Sequence, residues 1–242
     1  MRNSNKLLSS VAALCLFAAF APASAVTMQA IYTGSVTSST DLTNMFGLGV
    51  GAGVLNDQAY TLTFTYDPSL SGVVQSLTTT SNVARGGPFD TPGSHSPIYG
   101  AELLINGIIK KIYSNAAGYV GNFNPSFTYN SAFHSALYQY YNPNFTVENY
   151  VSGGIGGIGL IIPLDLQTPY HVMFDSLLSN GQFDFNIFDD NLGDYSVHTF
   201  GSFSASELTV SAVPLPGALP MLAVGLVGLG ALGRKSGRRR LF

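Results

Sequence analysis

The sequence predicts an all-β fold, an antiparallel β-sandwich of the jelly-roll kind, placed between two targeting segments. Residues 60–66 alternate large apolar side chains with threonine, which is the period of a half-buried strand. No long segment of residues 26–211 shows the 3.6-residue period of an amphipathic helix. Gly, Pro, Asn and Ser separate the apolar runs, as turn residues do in sandwiches. A β-barrel is the nearest alternative.

The candidate strands share alternating or β-branched and aromatic residues. They are residues 28–36, 60–66, 102–105, 108–111, 145–151, 170–174, 183–188 and 203–210. Asn106 and Gly107 stand between two of these runs, and both tolerate the positive φ that a type I′ hairpin requires. Stretches rich in Gly or Pro at residues 46–53, 86–97 and 153–159 are predicted to be loops.

The first 25 residues have the three-part pattern of a secretory signal peptide. Arg2 and Lys6 precede an apolar run at residues 7–20, and Ala23 and Ala25 supply the small side chains of a cleavage site. The alternative, a buried N-terminal helix, is disfavoured because the run has no polar face. Signal peptidase is therefore an expected partner, and the mature chain should begin at Val26.

Charge and cysteine content limit the functions of the remaining domain, residues 26–211. It holds three basic residues, Arg85, Lys110 and Lys111, and all thirteen acidic residues, for a net charge of −10. Such a domain repels nucleic acid. The only cysteine, Cys15, lies inside the signal peptide, so the mature chain has no thiol chemistry. Leu14 before it does not fit a lipoprotein cleavage site.

Residues 212–242 read as a C-terminal membrane anchor. Residues 212–232 are uncharged, and 21 residues at 1.5 Å each span about 30 Å, the thickness of a bilayer's hydrocarbon core. A basic cluster follows and should stay in the cytoplasm. Its members are Arg234, Lys235, Arg238, Arg239 and Arg240. A permanent bitopic anchor and a temporary one are both compatible with this pattern.

The tail resembles the PEP-CTERM sorting signal, in its VPLPA-CTERM-like variant. The resemblance rests on Val213, Pro214, Leu215 and Pro216 followed by a Gly-rich apolar run and basic residues, with Leu215 in place of the parent motif's acid. It implies a Gram-negative exported protein, held in the inner membrane facing the periplasm. An exosortase-type enzyme then cuts near the motif, and the product reaches the cell surface or extracellular space, often beside exopolysaccharide.

Acidic residues near the end of a predicted strand are weak calcium candidates, since carboxylate and amide oxygens suit this cation. They are Asp184, Asp189, Asp190 and Asp194. The EF-hand order is absent, and Asp and Asn also favour plain solvated turns. Apart from this calcium hypothesis, no cofactor is predicted.

Other patterns point away from catalysis. Gly154, Gly156 and Gly159 have dinucleotide-site spacing, but residues 160–162 read as a strand and Pro163 follows, so no helix opens there and a flexible loop or strand edge is favoured. No G-x-S-x-G motif is present. The histidines are dispersed, without the spacing of a zinc hydrolase; they are His95, His134, His171 and His198.

Tyrosines and asparagines crowd residues 113–150, where they could stack on sugar rings or simply pack on a strand face. The group includes Tyr129, Tyr138, Tyr140, Tyr141, Asn142 and Asn144. The sequence therefore favours a non-enzymatic exported surface or matrix protein, with the membrane as a partner through its C-terminal tail and polysaccharide as a further candidate partner. A carbohydrate-binding module is one alternative. A secreted hydrolase, which needs two convergent carboxylates, is the other.

Overall fold

The computed structural model describes residues 26–125, 129–173, 179–189, 191 and 193–213, with the side chains of Asp189 and Tyr195 left out. These residues form thirteen β-strands and no helix. The strands are β1 Met28–Asp41, β2 Gly51–Ala52, β3 Ala59–Tyr66, β4 Val74–Leu77, β5 Ser81–Gly86, β6 Ile98–Ile105, β7 Ile108–Ile112, β8 Ala117–Phe123, β9 Tyr129–Asn142, β10 Phe145–Ile158, β11 Tyr170–Met173, β12 Ser179–Asp189 and β13 Asp194–Ala212.

Two predicted segments fall outside this description. The signal peptide, with Ala23 and Ala25, is one of them. The tail beyond Val213 is the other; it contains Pro214, Leu215, Pro216, Arg234, Lys235, Arg238, Arg239 and Arg240. Both remain predictions from sequence.

The described strands form one antiparallel sheet that curls into a sandwich-like fold. Its order is β4-β5-β8-β9-β10-β12-β13-β1-β3-β6-β7, with β2 added to β1 and β11 added to β13. The sheet folds over so that β3, β6 and β7 contact β8, β9 and β10, and the core lies between these two groups. The predicted all-β antiparallel class is confirmed.

Strand β3 shows why the alternation in the sequence becomes a two-faced sheet. Tyr60, Leu62, Phe64 and Tyr66 are buried, while the threonines between them are half-buried. Burial of each large apolar side chain stabilises the fold by about 1.5–3 kcal/mol. The period-two pattern therefore orients this strand correctly from local sequence alone.

The whole of β1 pairs with the second part of β13, from Thr199 to Ala212, near the middle of the sheet. Met28 lies opposite Ala212 and Asp41 opposite Thr199, with two register shifts between these ends. Beyond the last pair, the amide of Val213 donates a hydrogen bond to the carbonyl oxygen of Thr27 at 2.8 Å. The folded part thus continues two residues past the predicted boundary at residue 211.

The predicted hairpin at Asn106 and Gly107 is confirmed, with φ values of 50° and 74°. Strands β6 and β7 pair directly through this turn, Ile105 facing Ile108. The Asn106 side-chain amide also donates to the carbonyl oxygen of Phe46 at 2.9 Å, which ties the turn to the loop after β1.

Two local predictions between residues 153 and 162 are wrong. Residues 153–158 belong to β10, a central strand between β9 and β12, and only Gly159 turns out of it, with a φ of 78°. Residues 160–162 are not a strand, because the carbonyl oxygens of Leu160 and Ile162 accept hydrogen bonds from the side chains of Asn130 and Asn124 instead of a neighbouring strand. The high glycine content of residues 153–159 therefore predicted a loop where the fold has a strand.

Candidate functional site: a groove on the outer sheet face

A continuous groove crosses the outer face of the sheet. This face is formed by the residues that alternate along each strand with the buried core residues. Three depressions of about 520, 320 and 210 Å³ form the groove. The first and second share Tyr150, Gln182 and Ser202, and the first and third share Phe133 and Asn180. Together they extend over β8, β9, β10, β12, β13 and β1, which is about 24 Å at about 4.8 Å between neighbouring strands.

Hydroxyl and amide side chains line the central depression. Ser152, Gln182 and Ser202 face one another on β10, β12 and β13, because the antiparallel register places directly opposite residues on the same face. Their chain neighbours Val151 and Phe183 are buried in the core. Strand alternation therefore presents hydrogen-bonding groups at the groove and apolar groups behind it.

Two carboxylates and the aromatic residues Tyr150, Phe183 and Phe200 line the second depression. Glu148 accepts a hydrogen bond from the Gln139 side-chain amide at 3.2 Å, and Asp184 accepts one from Asn186 at 3.2 Å. The ring of Phe200 contributes an apolar surface beside them, as does that of Tyr150. This end of the groove is acidic.

Glycines form the floor of the third depression. A Cβ atom on Gly156 would lie 2.4 Å from the hydroxyl oxygen of Tyr129, and one on Gly154 would lie 2.7 Å from Oδ1 of Asn180 and 3.1 Å from Cδ2 of Phe133. Any larger residue would fill the space between these side chains. The glycines predicted to form a loop instead keep the groove open.

This arrangement suits a polar ligand built of rings. Exposed faces of aromatic side chains pack on apolar ring surfaces, while nearby hydroxyl and amide groups pair with hydroxyl groups. Among the described residues that line the three depressions, none is Lys or Arg. The groove therefore offers stacking and hydrogen bonding with negative charge at one end.

The structure separates the predicted calcium candidates. Asp184 lies in the groove, five residues and about 17 Å along β12 from Asp189, at about 3.3 Å per residue. Asp189 faces Asp194 across the β12–β13 turn, and Asp190 lies outside the described residues. No three His, Cys, Asp or Glu side chains converge within the described part of the chain. A calcium ion at the turn itself stays a prediction.

The tyrosine- and asparagine-rich region does not form one surface. Tyr129 lines the groove, whereas Tyr138 packs against the core. Tyr140, Tyr141, Asn142 and Asn144 lie at the far end of the β9–β10 hairpin. Of the six residues, the structure brings only Tyr129 to the candidate site.

The four histidines are dispersed, as predicted. His171 lies 3.1 Å from Glu207, His198 lies 3.6 Å from Asp184, and Nδ1 of His95 lies 2.8 Å from the carbonyl oxygen of Ser71. His134 is fully buried, and burial lowers its pKa to about 3. Each of the four therefore has a polar partner within the domain, and His198 is the one that adjoins the groove.

Sequence reasoning missed Phe133, Ser152, Asn180, Gln182 and Ser202. A local signal existed: serine, phenylalanine and serine alternate at positions 131, 133 and 135, which is a strand period. Interspersed Ala and His disguised it, because these residues are not typical of strands. That pattern does not show which strands lie beside β9 in the sheet.

No protein-family model, curated protein or solved structure that we compared with the chain gives a significant match. Within the described ranges, no helix has the length and hydropathy of a membrane span. Function is therefore inferred from the groove and from the sequence at the chain ends.

Proposed function

We propose that this protein is a non-enzymatic exported surface or extracellular-matrix protein whose groove binds a polysaccharide chain. The main support for polysaccharide binding is that the three depressions form one continuous groove across six strands. A groove about 24 Å long fits several consecutive sugar residues better than a single small molecule. Aromatic and amide groups recur along it, as repeated contacts with a repeating polymer require.

Export and anchoring belong to the same proposal. The hydrogen bond between Val213 and Thr27 brings the two ends of the folded domain together, and Pro214 is the next residue. In this proposal, residues 1–25 are removed on export. The tail holds the domain at the inner membrane, facing the periplasm. An exosortase-type enzyme then cuts near residues 214–216 and releases it to the cell surface or matrix.

Binding is tested by affinity electrophoresis of residues 26–213 in gels that contain single polysaccharides. Gln182→Ala and Tyr150→Ala should each weaken binding about tenfold, which corresponds to about 1.4 kcal/mol. Tyr113→Ala is the matched control, because Tyr113 is exposed on the β7–β8 connection and lies outside the groove. If the polysaccharide retarded the two groove variants and the Tyr113→Ala control equally, the groove would not be the binding site.

A second candidate function, glycoside hydrolysis, is favoured by one observation. Glu148 faces Asn186 while Tyr150 faces Asp184, so Glu148 and Asp184 are diagonal neighbours on one face of the sheet, with their Cα atoms about 7–8 Å apart. Inverting glycosidases separate their carboxyl groups by about 6.5–9.5 Å. Release of new reducing ends by the purified protein, abolished in Glu148→Gln, would establish an enzyme and overturn the non-enzymatic proposal.

A further inference from the structure

We infer that the groove selects uncharged polysaccharide chains and excludes acidic ones. This inference rests on the proposed function, since it names the class of polysaccharide that the groove accepts. Glu148 and Asp184 line the second depression, where a bound chain would pass, and no described residue that lines the groove is Lys or Arg.

The hydrogen-bond donors to the two carboxylates are neutral side-chain amides. Glu148 is bound by the amide of Gln139, and Asp184 is bound by the amide of Asn186. His198, at 3.6 Å from Asp184, contributes positive charge only when protonated. A chain with a carboxylate or sulfate group beside Tyr150 would therefore face two negative charges.

The basic residues of the domain lie elsewhere or are already paired. Arg85 lies 3.4 Å from Asp90, and Lys111 lies 2.7 Å from Glu102. Lys110 lines a separate depression with Met45. Repulsion of an acidic chain is consequently not relieved by a nearby cation, and the negative net charge of the domain adds to it.

The expected size of the effect follows from Coulomb's law. Two like charges about 4 Å apart in water repel enough to change an equilibrium constant about fivefold, and more where water is partly excluded. Two carboxylates against a chain with one charge per repeat should therefore disfavour binding by at least about tenfold at low salt. Screening should reduce this factor as ionic strength rises.

The test uses residues 26–213 and pairs of polymers that share a backbone but differ in charge. Hydroxyethyl cellulose is compared with carboxymethyl cellulose, and dextran with dextran sulfate, within a wider panel of uncharged and acidic polysaccharides. We expect retardation by at least one uncharged polymer, and at least tenfold weaker retardation by its acidic counterpart at 20 mM salt. Stronger binding to an acidic polymer than to every uncharged one would overturn the selectivity but leave the proposed function standing. Binding to no polymer would overturn both.

Variants locate the effect in the groove. Glu148→Gln with Asp184→Asn should raise the ratio of acidic-polymer binding to uncharged-polymer binding at least tenfold. Glu102→Gln with Glu207→Gln removes the same net charge outside the groove and should gain little. Equal gains in both double variants would show that only net charge acts, which overturns the inference. If the groove variant fails to fold, the salt dependence of the wild-type protein decides: exclusion that persists unchanged at 0.5 M salt contradicts electrostatic selection.

Discussion

The hydroxyl oxygen of Tyr32 lies 2.7 Å from Nδ1 of His134, in the middle of the core and 102 residues apart in sequence. Both side chains are fully buried, on β1 and β9. Burial lowers the pKa of His134 to about 3 and raises the pKa of Tyr32 well above its usual value, with a smaller contribution from nearby tyrosines. Both groups are therefore neutral at ordinary pH, and their hydrogen bond joins the two halves of the curled sheet.

His134 should make the protein less stable in mild acid. Its pKa is about 6.5 when unfolded and about 3 when folded, so the unfolded chain binds the extra proton between these values. Stability from this group is complete above pH 6.5 and declines as the pH falls towards 3. At pH 5 the loss is about 2 kcal/mol, at 1.36 kcal/mol per pKa unit.

Urea denaturation of wild type and His134→Gln at pH 5 and 7 measures this linkage. The variant should be less stable at pH 7 but should lose about 2 kcal/mol less than wild type on going to pH 5. His95→Gln is the control, because His95 is exposed, and it should follow the wild-type pH dependence. A His134 variant with the wild-type slope would show that His134 is not the responsible group.

Two adjacent glycines should separate stability from binding. Gly153 faces the core, where a Cβ would lie 3.1 Å from ring atoms of buried Tyr32, so Gly153→Ala should lower the melting temperature. Gly154 faces the groove, where its Cβ would meet the Asn180 and Phe133 side chains. Gly154→Ala should weaken polysaccharide binding while the melting temperature changes less. If instead Gly154→Ala lowered the melting temperature more and Gly153→Ala weakened binding more, Gly153 would not face the core and Gly154 would not face the groove.

Asp41 should stabilise the loop after β1. Its burial alone raises its pKa, but hydrogen bonds from the amides of Met45, Thr43 and Phe46 and the Thr199 hydroxyl outweigh this, so the net pKa is lowered. Thr199 Oγ1 donates to Asp41 Oδ1 at 2.8 Å, and the Thr43 amide donates to it at 3.0 Å. Asp41→Ala leaves these donors unpaired and should cost about 1–3 kcal/mol at pH 7.

The pH dependence distinguishes this carboxylate from His134. A lowered pKa means that the charge of Asp41 stabilises the fold above pH 3.8 and that this contribution is lost as the pH falls through the lower folded-state value. Wild type and Asp41→Asn should therefore approach each other in stability towards pH 2. Chemical denaturation at pH 7 and pH 2 measures the difference. A difference that widens in acid would contradict the lowered pKa.

The chain ends should be processed without disturbing the sheet. We expect the exported form to begin at Val26 and, in a host with the processing enzyme, to end near residues 214–216. Terminal peptides from inner membrane, outer membrane and medium check both ends. If the C-terminal peptide ended at Phe242 in every fraction, the tail would be a permanent anchor.

Truncation tests the same boundary in the purified domain. Residues 26–213 should melt cooperatively with strand-dominated circular dichroism. A chain that ends at residue 207 loses the pairing of β13 with Met28 and with Tyr170, and should be much less stable. Equal stability of the two purified chains would contradict the structural role of the pairing of β13 with β1 and β11.

The strand class, the face that β3 buries and the hairpin at Asn106 are predictable from sequence, since each depends on neighbours within a few residues. The predicted signal peptide and sorting tail are also read from linear patterns, and both stay predictions from sequence. Three features became visible only in the folded chain: residues 153–158 are a central strand, Asp184 lies apart from Asp189, and Gln182 and Ser202 share a groove. Alternation shows which residues of one strand share a face, but not which strands become neighbours. That choice depends on contacts between distant residues, such as Tyr32 with His134, and these form only when the whole sheet closes.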